Sequence, residues 1–306
     1  MTFMNKKFSE KSKRYSYNDC WNYAFQRKKI SVEAKRQKEI ISICQTIPAE
    51  FWLNFSNKIL TSTNYRQICQ KIQQYQKNTS LAYLNKETYF YNLPFKIEKG
   101  VFIPQKDTEI LLEKTVELIN QYWKKSKRIK ILDIGTGCGN LAICLAKISP
   151  QWQITAIDIS KKALKVAQKN VQLHQAKNVK IKKSNLFHEL VKNKKTVNQQ
   201  QTERYNIIIT NPPYISEREY KKLHFSTKQQ PKKALVAKND GYWFYEKIIQ
   251  QVQQHLTKKF LLIMEVGHQQ KEKVLKILIR KLPQAKVKVF LDLAGKERVI
   301  AAYKVW

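Results

Sequence analysis

The chain has 306 residues, and its hydrophobic fraction of 42% is enough to build one large or two modest cores. Its 58 basic and 23 acidic residues give a formal net charge of +35. Such a charge suits nonspecific binding to nucleic acid, but it can equally result from a bias in the composition of the coding sequence. Five cysteines without a CxxC pair exclude a disulfide scaffold and a zinc site, and the lack of a long apolar run excludes a membrane span.

The first 82 residues show helical periodicity and no convincing strand. Apolar side chains recur at i, i+3, i+4 and i+7 in two sets, Ile40, Ile43, Cys44 and Ile47, and then Tyr65, Ile68, Cys69 and Ile72. Phe51, Trp52 and Phe55 add aromatic bulk that suits either a core or a surface for a partner. We expect a small helical domain over residues 1–82.

Residues 83–104 have a different character, because two β-rich runs, 88–91 and 95–97, flank a turn-like Asn92. This predicts a β-hairpin that links two domains. From Asp107, which we expect to cap a helix, strand and helix patterns alternate to the end of the chain. Residues 105–306 therefore form the second domain.

Seven strands are predicted in this second domain. They cover residues 129–134, 153–158, 178–183, 205–210, 258–265, 286–292 and 297–304. Alternation with helices predicts an α/β fold with a parallel, doubly wound sheet. Only residues 293–296 separate the last two strands, too few for a crossover helix, so these strands should form an antiparallel hairpin. Residues 188–204 show low complexity and no periodicity, which predicts a solvated loop.

A glycine turn follows the first of these strands. Gly135, Gly137 and Gly139 are three of only seven glycines in the chain, and a helical pattern begins directly after them. Such a turn lets a ligand approach the backbone and the free N–H groups of the helix. The next strand ends in Asp158, which suits ribose hydroxyls. NAD and S-adenosylmethionine both satisfy this pattern.

A second motif, Asn211, Pro212, Pro213 and Tyr214, follows the strand at 205–210. The two prolines stiffen the turn and remove two backbone donors, so carbonyls and the Asn211 amide remain as acceptors. Such a loop suits a planar NH2 group. Because both motifs lie at carboxyl ends of parallel strands, we expect them to converge on one cleft.

Taken together, the motifs resemble the release-factor glutamine N5-methyltransferases of the HemK/PrmC type. The matching segments are residues 90–97, 101–104, 107–109, 132–139, 158–160, 211–215, 265–267 and 292–295. The resemblance covers roughly residues 80–306 in unbroken order. It implies the seven-stranded S-adenosylmethionine-dependent methyltransferase fold, with a small N-terminal helical domain that docks the substrate.

The family implies methylation of the glutamine in the Gly-Gly-Gln loop of class I peptide-chain release factors, with S-adenosylmethionine as donor. By position, the catalytic residues would be Asn211, Pro212 and Tyr214. The donor would be bound by Asp133, Gly135, Thr136, Gly137, Gly139, Asp158, Asn185, Leu186 and Asn211. Residues 1–12 are polar and basic without an apolar h-region, and with the odd cysteine count this predicts a soluble cytoplasmic protein, which we expect to be a monomer without membrane contact.

The chain departs from the family pattern at three places. Gln105 and Lys106 stand where the family has an Arg-Pro pair, and Gln230 stands where it has a Glu before Pro231. Asn185 replaces the acidic residue that would bind the adenine of the donor. None of these lies in the tetrapeptide. We expect retained activity with weaker donor affinity.

Three other functions stay open on the sequence. An N6-adenine DNA or base-amine RNA methyltransferase would use the same tetrapeptide, and a flipped base could stack on Tyr214. A sister family modifies a ribosomal-protein glutamine but has a different linker. The third is a basic RNA-binding protein with an inactive methyltransferase fold, which the intact motifs disfavour.

Overall fold

A computed structural model describes residues 15–16, 19, 59–76, 79–124, 128–193 and 200–305. The chain divides into two compact units, Met1–Asn85 and Lys86–Trp306. Within the described residues, no helix has the length and apolar character needed to cross a membrane.

The first unit contains two strands and two helices in its described part. They are β1 (Tyr15–Ser16), β2 (Ile59–Leu60), α1 (Ser62–Gln76) and α2 (Leu81–Asn85). Tyr65, Ile68 and Cys69 are buried on α1, as the periodicity predicts. The expectation of no strand is wrong, because β1 and β2 pair antiparallel. Two-residue strands are too short to give an alternating signal. The predicted stripe from Ile40 to Ile47 and the aromatic residues at 51–55 lie outside the described residues.

The second unit opens with a hairpin of β3 (Glu87–Phe90) and β4 (Leu93–Lys96), which pair antiparallel. Tyr91 and Asn92 form its turn with φ angles of 48° and 58°. Positive φ at both positions is the geometry of a two-residue type I′ turn, for which Asn is well suited. Phe90 and Phe95 are buried, and their rings meet edge to face with centroids 6.5 Å apart.

A seven-stranded sheet follows, in the order β12-β13-β11-β10-β5-β6-β7. Its strands are β5 (Lys130–Ile134), β6 (Gln153–Asp158), β7 (Val179–Lys183), β10 (Tyr205–Thr210), β11 (Leu256–Glu265), β12 (Lys286–Leu291) and β13 (Glu297–Lys304). The five strands from β11 to β7 run parallel, whereas β13 is antiparallel to both β11 and β12. The predicted methyltransferase fold with a terminal antiparallel hairpin is confirmed.

Helices alternate with these strands. They are α3 (Glu109–Tyr122), α4 (Asn140–Ile148), α5 (Lys161–Leu173), α6 (Glu217–Lys222), α7 (Phe225–Lys228), α8 (Trp243–Gln251) and α9 (Lys271–Lys281). Tyr245 and Ile248 of α8 and Val274 of α9 belong to one buried apolar cluster with Leu132 and Ile208 of the sheet. Burying one apolar stripe of each helix on the sheet stabilises this unit.

The expectation of a structureless loop over residues 188–204 is wrong for its described part. β8 (Val191–Asn193) and β9 (Gln200–Thr202) pair antiparallel. Their polar composition hides the pairing, because a two-stranded ribbon held by backbone hydrogen bonds needs no apolar face. Residues 194–199 lie outside the described residues.

Asn170 of α5 ties the hairpin to the glycine turn. Its side chain is 0% exposed, and its Oδ1 accepts from Lys96 N at 2.7 Å. Its Nδ2 donates to Lys96 O at 3.0 Å and to Cys138 O at 2.9 Å. One buried amide therefore satisfies three backbone groups from two separate segments.

We predict that Asn170→Ala lowers the free energy of unfolding by about 3 kcal/mol, because it leaves buried donors and acceptors unpaired. Gln172→Ala is the matched control, since this amide is exposed on the same helix and should change stability by less than about 0.5 kcal/mol. Urea unfolding of the full chain measures both. Equal midpoints for the two variants would contradict this role of Asn170.

Candidate active site

The site lies where the strand order of the sheet reverses. β5 pairs with β6 on one side and with β10 on the other, and all three run parallel. Ile134 is paired with Thr210, whose Oγ1 donates to Ile134 O at 2.9 Å. The segments that follow these two strands therefore leave the same edge of the sheet side by side, which is where ligands bind in such folds.

The glycine turn after β5 is fixed by backbone hydrogen bonds. The N–H groups of Gly135 and Thr136 both donate to Ile157 O at 2.9 Å. Gly135 and Gly137 have φ of +74° and +58°, and a Cβ built on either would meet no atom within 4 Å. These two glycines thus present an open backbone surface that a ligand can approach closely.

Gly139 has a different environment. A Cβ at this position would lie 3.2 Å from Ile143 Cδ1 and 3.3 Å from Ala167 Cβ. It therefore allows α4, which begins at Asn140, to pack closely on α5. Its predicted place among the donor-binding residues stays a prediction.

Asp158, at the end of β6, is held by two backbone donors. Its Oδ1 accepts from Ser160 N at 2.8 Å and its Oδ2 from Gly137 N at 3.0 Å. Burial raises the pKa of this carboxyl, and the backbone hydrogen bonds oppose the rise. The carboxylate is thus oriented beside the glycine turn, with lone pairs that can still accept from hydroxyl groups.

Asp133 precedes the turn and is only 1% exposed. Its Oδ2 accepts from Thr136 Oγ1 at 2.6 Å, while its Oδ1 makes no hydrogen bond of ordinary geometry among the described residues. Burial raises the pKa of Asp133 to about 7, and the charge of Asp158 adds to the rise. A buried carboxyl of this kind favours a proton or a nearby cation.

Asn185 and Leu186 lie in the turn after β7. Asn185 N donates to Glu189 Oε2 at 2.7 Å, and Leu186 takes a φ of 48°. The Asn185 side chain is exposed. Its amide can therefore reach a ligand, as an uncharged acceptor in place of the family's acid.

Asn211 of the tetrapeptide is oriented by a residue far away in the sequence. Its Nδ2 donates to Thr108 Oγ1 at 2.9 Å. Because the amide nitrogen is used in this way, the Asn211 Oδ1 remains as an acceptor for a substrate. Pro212 is buried, and the Tyr214 hydroxyl donates to Glu265 Oε1 at 3.2 Å.

Tyr214 is enclosed by two glycines that sequence reasoning gave no role. A Cβ on Gly241 would lie 2.2 Å from Tyr214 O, and one on Gly267 would lie 3.0 Å from Tyr214 Cδ2. Gln270 Nε2 donates to Tyr214 O at 3.0 Å. Only glycine lets both loops come this close. Gly267 lies in a segment of the family pattern, whereas no sequence signal marks Gly241 or Gln270.

Two departures from the family pattern meet at one backbone position. Gln230 Oε1 accepts from Ile103 N at 3.0 Å, and Gln105 Nε2 donates to Ile103 O at 2.7 Å. The loop before Thr108 is therefore fixed by two neutral amides. These two bonds restrain the loop in the absence of the family's Arg-Pro pair.

The expectation that Asp107 caps a helix is wrong. It lies in a 3₁₀ turn, Lys106–Thr108, and the N-cap of α3 is Thr108, which makes no side-chain capping bond. Asp107 instead lies 3.6 Å from Arg298 Nη2, which is 3.0 Å from Asp292. A short turn before a helix is easily mistaken for a cap in sequence, because both favour Asp.

The acceptors at this edge fit S-adenosylmethionine. The ligand presents an ammonium, two ribose hydroxyls and an adenine amino group, which are all donors. The chain places the buried Asp133 carboxyl, the Asp158 carboxylate and the exposed Asn185 amide on the strands and turns at this edge, together with the open backbone of Gly135 and Gly137. Donors and acceptors are therefore complementary.

The chain is similar to proteins of known family and fold. The Methyltransferase small domain family matches residues 92–276. The catalytic domain of hMettl16, solved with the MAT2A 3'UTR hairpin 1, has the same fold with a TM-score of 0.53. That match is 14% identical and covers 89% of this chain and 92% of that one.

Several relatives bear the name release factor glutamine methyltransferase. The protein of Fusobacterium nucleatum subsp. nucleatum is 38% identical over 74% of this chain, which spans 61% of that relative's length. The protein of Lactococcus lactis subsp. lactis is 32% identical over 82% of this chain and 87% of its own length. The chain therefore belongs to the release factor glutamine methyltransferase family.

Proposed function

We propose that this protein methylates the N5 atom of the glutamine in the Gly-Gly-Gln loop of class I peptide-chain release factors. S-Adenosylmethionine, when bound, supplies an electrophilic methyl group. The observation that carries the proposal is the hydrogen bond from Asn211 to Thr108, which leaves the Asn211 carbonyl free beside the glycine turn. This is an acceptor for an NH2 group.

The donor would be held by residues at the ends of β5, β6 and β7. Asp158 accepts from the ribose hydroxyls, and Asn185 beside Leu186 accepts from the adenine amino group. Gly135, Thr136 and Gly137 leave the backbone open to the methionine end, and Asp133 favours its cationic charge. Burial of the Asp133 carboxyl makes a cation valuable there, because its pKa is raised to about 7.

The acceptor residues orient a weak nucleophile. The lone pair of an amide nitrogen is delocalised into its carbonyl, so alignment is the main task of the protein. Asn211 Oδ1 and the Pro212 carbonyl can each accept one hydrogen of the substrate NH2, and Tyr214 can pack on the amide plane. These acceptors also favour the positive charge that develops on the nitrogen.

No strong general base is required, because the methylated amide nitrogen is acidic enough to lose its proton afterwards. The tetrapeptide accordingly contains no His and no carboxylate. Burial raises the pKa of the Tyr214 hydroxyl, and the charge of Glu265 adds to this rise. Tyr214 therefore stays neutral at physiological pH, in keeping with a role in binding.

We predict that labelled donor transfers its methyl group to a class I release factor and not to the same factor with the loop glutamine changed to alanine. The neutral acceptor Asn211 Oδ1 supports an amide as substrate. Scintillation counting of the isolated factor measures transfer. Label on both factors would contradict the proposal.

The same experiment distinguishes the proposed function from its main alternative, methylation of a nucleobase amine. A base-amine methyltransferase would present the same acceptors to a nucleobase, and the net charge of +35 supports some nonspecific nucleic-acid contact. A parallel reaction with RNA and with DNA distinguishes the two. Label on nucleic acid alone would favour the alternative.

We predict that Asn211→Ala lowers kcat by on the order of 100-fold or more, because the substrate amide loses an orienting acceptor. Donor affinity should change little, since the donor is bound mainly by the other strand ends. Asn206→Ala is the control at the opposite end of β10, where its Oδ1 accepts from Lys130 N at 2.9 Å. Isothermal titration and initial rates test both variants. Loss of donor binding in Asn211→Ala would mean that this residue acts on the donor instead.

The N-terminal unit is proposed to dock the release factor, and the protein to act as a cytoplasmic monomer. Cys138 and Cys144 are buried thiols that form no disulfide, which supports a reducing compartment. No residue assigned to the chemistry belongs to residues 1–85, which leaves this unit available for substrate selection.

We predict that a variant lacking residues 1–85 has a KM for the full release factor raised by about 10-fold or more, with an unchanged KM for a short Gly-Gly-Gln peptide. Circular dichroism and thermal unfolding first establish that residues 86–306 retain their fold. Equal KM values for the full factor with and without the unit would refute docking.

A further inference from the structure

A line of side chains runs from Asn211 to a buried carboxyl that has no assigned role. Asn211 Nδ2 donates to Thr108 Oγ1 at 2.9 Å, and the Tyr214 hydroxyl donates to Glu265 Oε1 at 3.2 Å. The Thr108 hydroxyl lies near enough to the same carboxyl to lower its pKa, although Glu265 Oε2 makes no hydrogen bond of ordinary geometry among the described residues. Thr108 and Glu265 are each 2% exposed. Two members of the tetrapeptide thus converge on one carboxyl group through buried contacts.

The direction of these hydrogen bonds follows from the chemistry of the groups. An ionised carboxylate can only accept, so Thr108 must direct its single hydroxyl proton at Glu265. The lone pairs of Thr108 Oγ1 then face Asn211, which must offer its NH2 group. The Asn211 carbonyl consequently points away from Thr108. An asparagine amide has no such preference by itself, because its oxygen and nitrogen ends have nearly the same shape.

A proton on Glu265 would remove this preference. The carboxylic acid could donate to Thr108, whose hydroxyl proton could then turn toward the Asn211 carbonyl. The Asn211 NH2 would face the substrate NH2, and two donors would oppose each other. The protonation state of Glu265 thus determines whether the Asn211 side chain offers an acceptor or a donor to the substrate.

Charged and titratable groups surround Glu265 from several elements. Arg298 of β13 favours its ionised form, whereas Asp107 of the 3₁₀ turn disfavours it. From α8, Tyr245 donates its hydroxyl to Glu265 O at 3.2 Å. Glu265 Oε2 is buried and makes no hydrogen bond of ordinary geometry within the described part of the chain, so it has room for a donor.

We propose that Glu265 and Thr108 are positioning residues that turn the Asn211 carbonyl toward the substrate amide and hold Tyr214 in place. This role rests on the proposed function, since it concerns the orientation of the acceptor that binds the glutamine NH2. Neither residue needs to touch the substrate. Each acts through the tetrapeptide.

Thr108→Val tests the hydroxyl with almost no change of shape. We expect kcat to fall by about 10- to 100-fold, with the KM for release factor and the donor Kd changed less than about threefold. Thr108→Ser restores the hydroxyl and should recover most of the rate. The matched control is Thr115→Val in α3, because this buried hydroxyl donates to Leu111 O at 2.6 Å and lies outside the network.

A kcat of wild-type size in Thr108→Val would overturn the proposal, and so would an equal loss in Thr108→Ser. Failure of the wild-type protein to label the loop glutamine would instead refute the proposed function. The two failures are therefore distinguishable.

Glu265→Gln and a pH profile test the carboxyl. Burial is the main cause that raises the pKa of Glu265 to about 7, so the acceptor arrangement forms as pH rises through neutrality. Wild-type kcat should rise about tenfold per pH unit below pH 7, and Glu265→Gln should be slow and lack this rise. Asp133 titrates in the same range, so the decisive result is the difference between the two profiles. A variant profile that keeps the wild-type rise would overturn the role of Glu265.

Discussion

The parallel pairing of β5 with β10 is the constraint on which the site depends. Asp133 is paired with Ile209, and Ile134 with Thr210, although these strands lie about 76 residues apart in the chain. A shift of one residue would turn every side chain of one strand to the opposite face. The glycine turn and the tetrapeptide would then no longer leave the sheet in a common direction. The apolar runs of both strands, buried on both faces, prevent such a shift.

Much of this arrangement can be predicted because the strands carry strong local signals. β6, β10 and β13 begin and end where the sequence places them, and β5 differs by one residue. Short apolar runs between polar turns and helical patterns define strands well. Since carboxyl ends of parallel strands share one edge, Gly135, Asp158 and Asn211 could be expected in one cleft without knowledge of the strand order.

The partners of these residues could not be predicted in the same way. Thr108 and Asn211 are separated by 103 residues, and neither segment has a periodicity that indicates the other. Gly241 has an ordinary turn context in sequence, yet the Tyr214 carbonyl approaches it too closely for any Cβ. Such contacts depend on how loops fold back over the sheet edge. They are determined by tertiary distances, which local propensity does not encode.

The departures from the family pattern show which property the site has kept. Gln230 accepts from Ile103 N as a carboxylate would, but without charge. Asn185 likewise offers an uncharged acceptor near the ends of the strands. Glu265, in contrast, remains a buried carboxyl, although burial disfavours its charge even in a chain of net charge +35. Long-range positive charge in water is screened and does not offset local desolvation. A carboxylate at this position is therefore costly to stability. It accepts a hydrogen bond from the Tyr214 hydroxyl, and its negative charge can also direct the Thr108 hydroxyl proton, which the neutral amides at the other positions do not need to do.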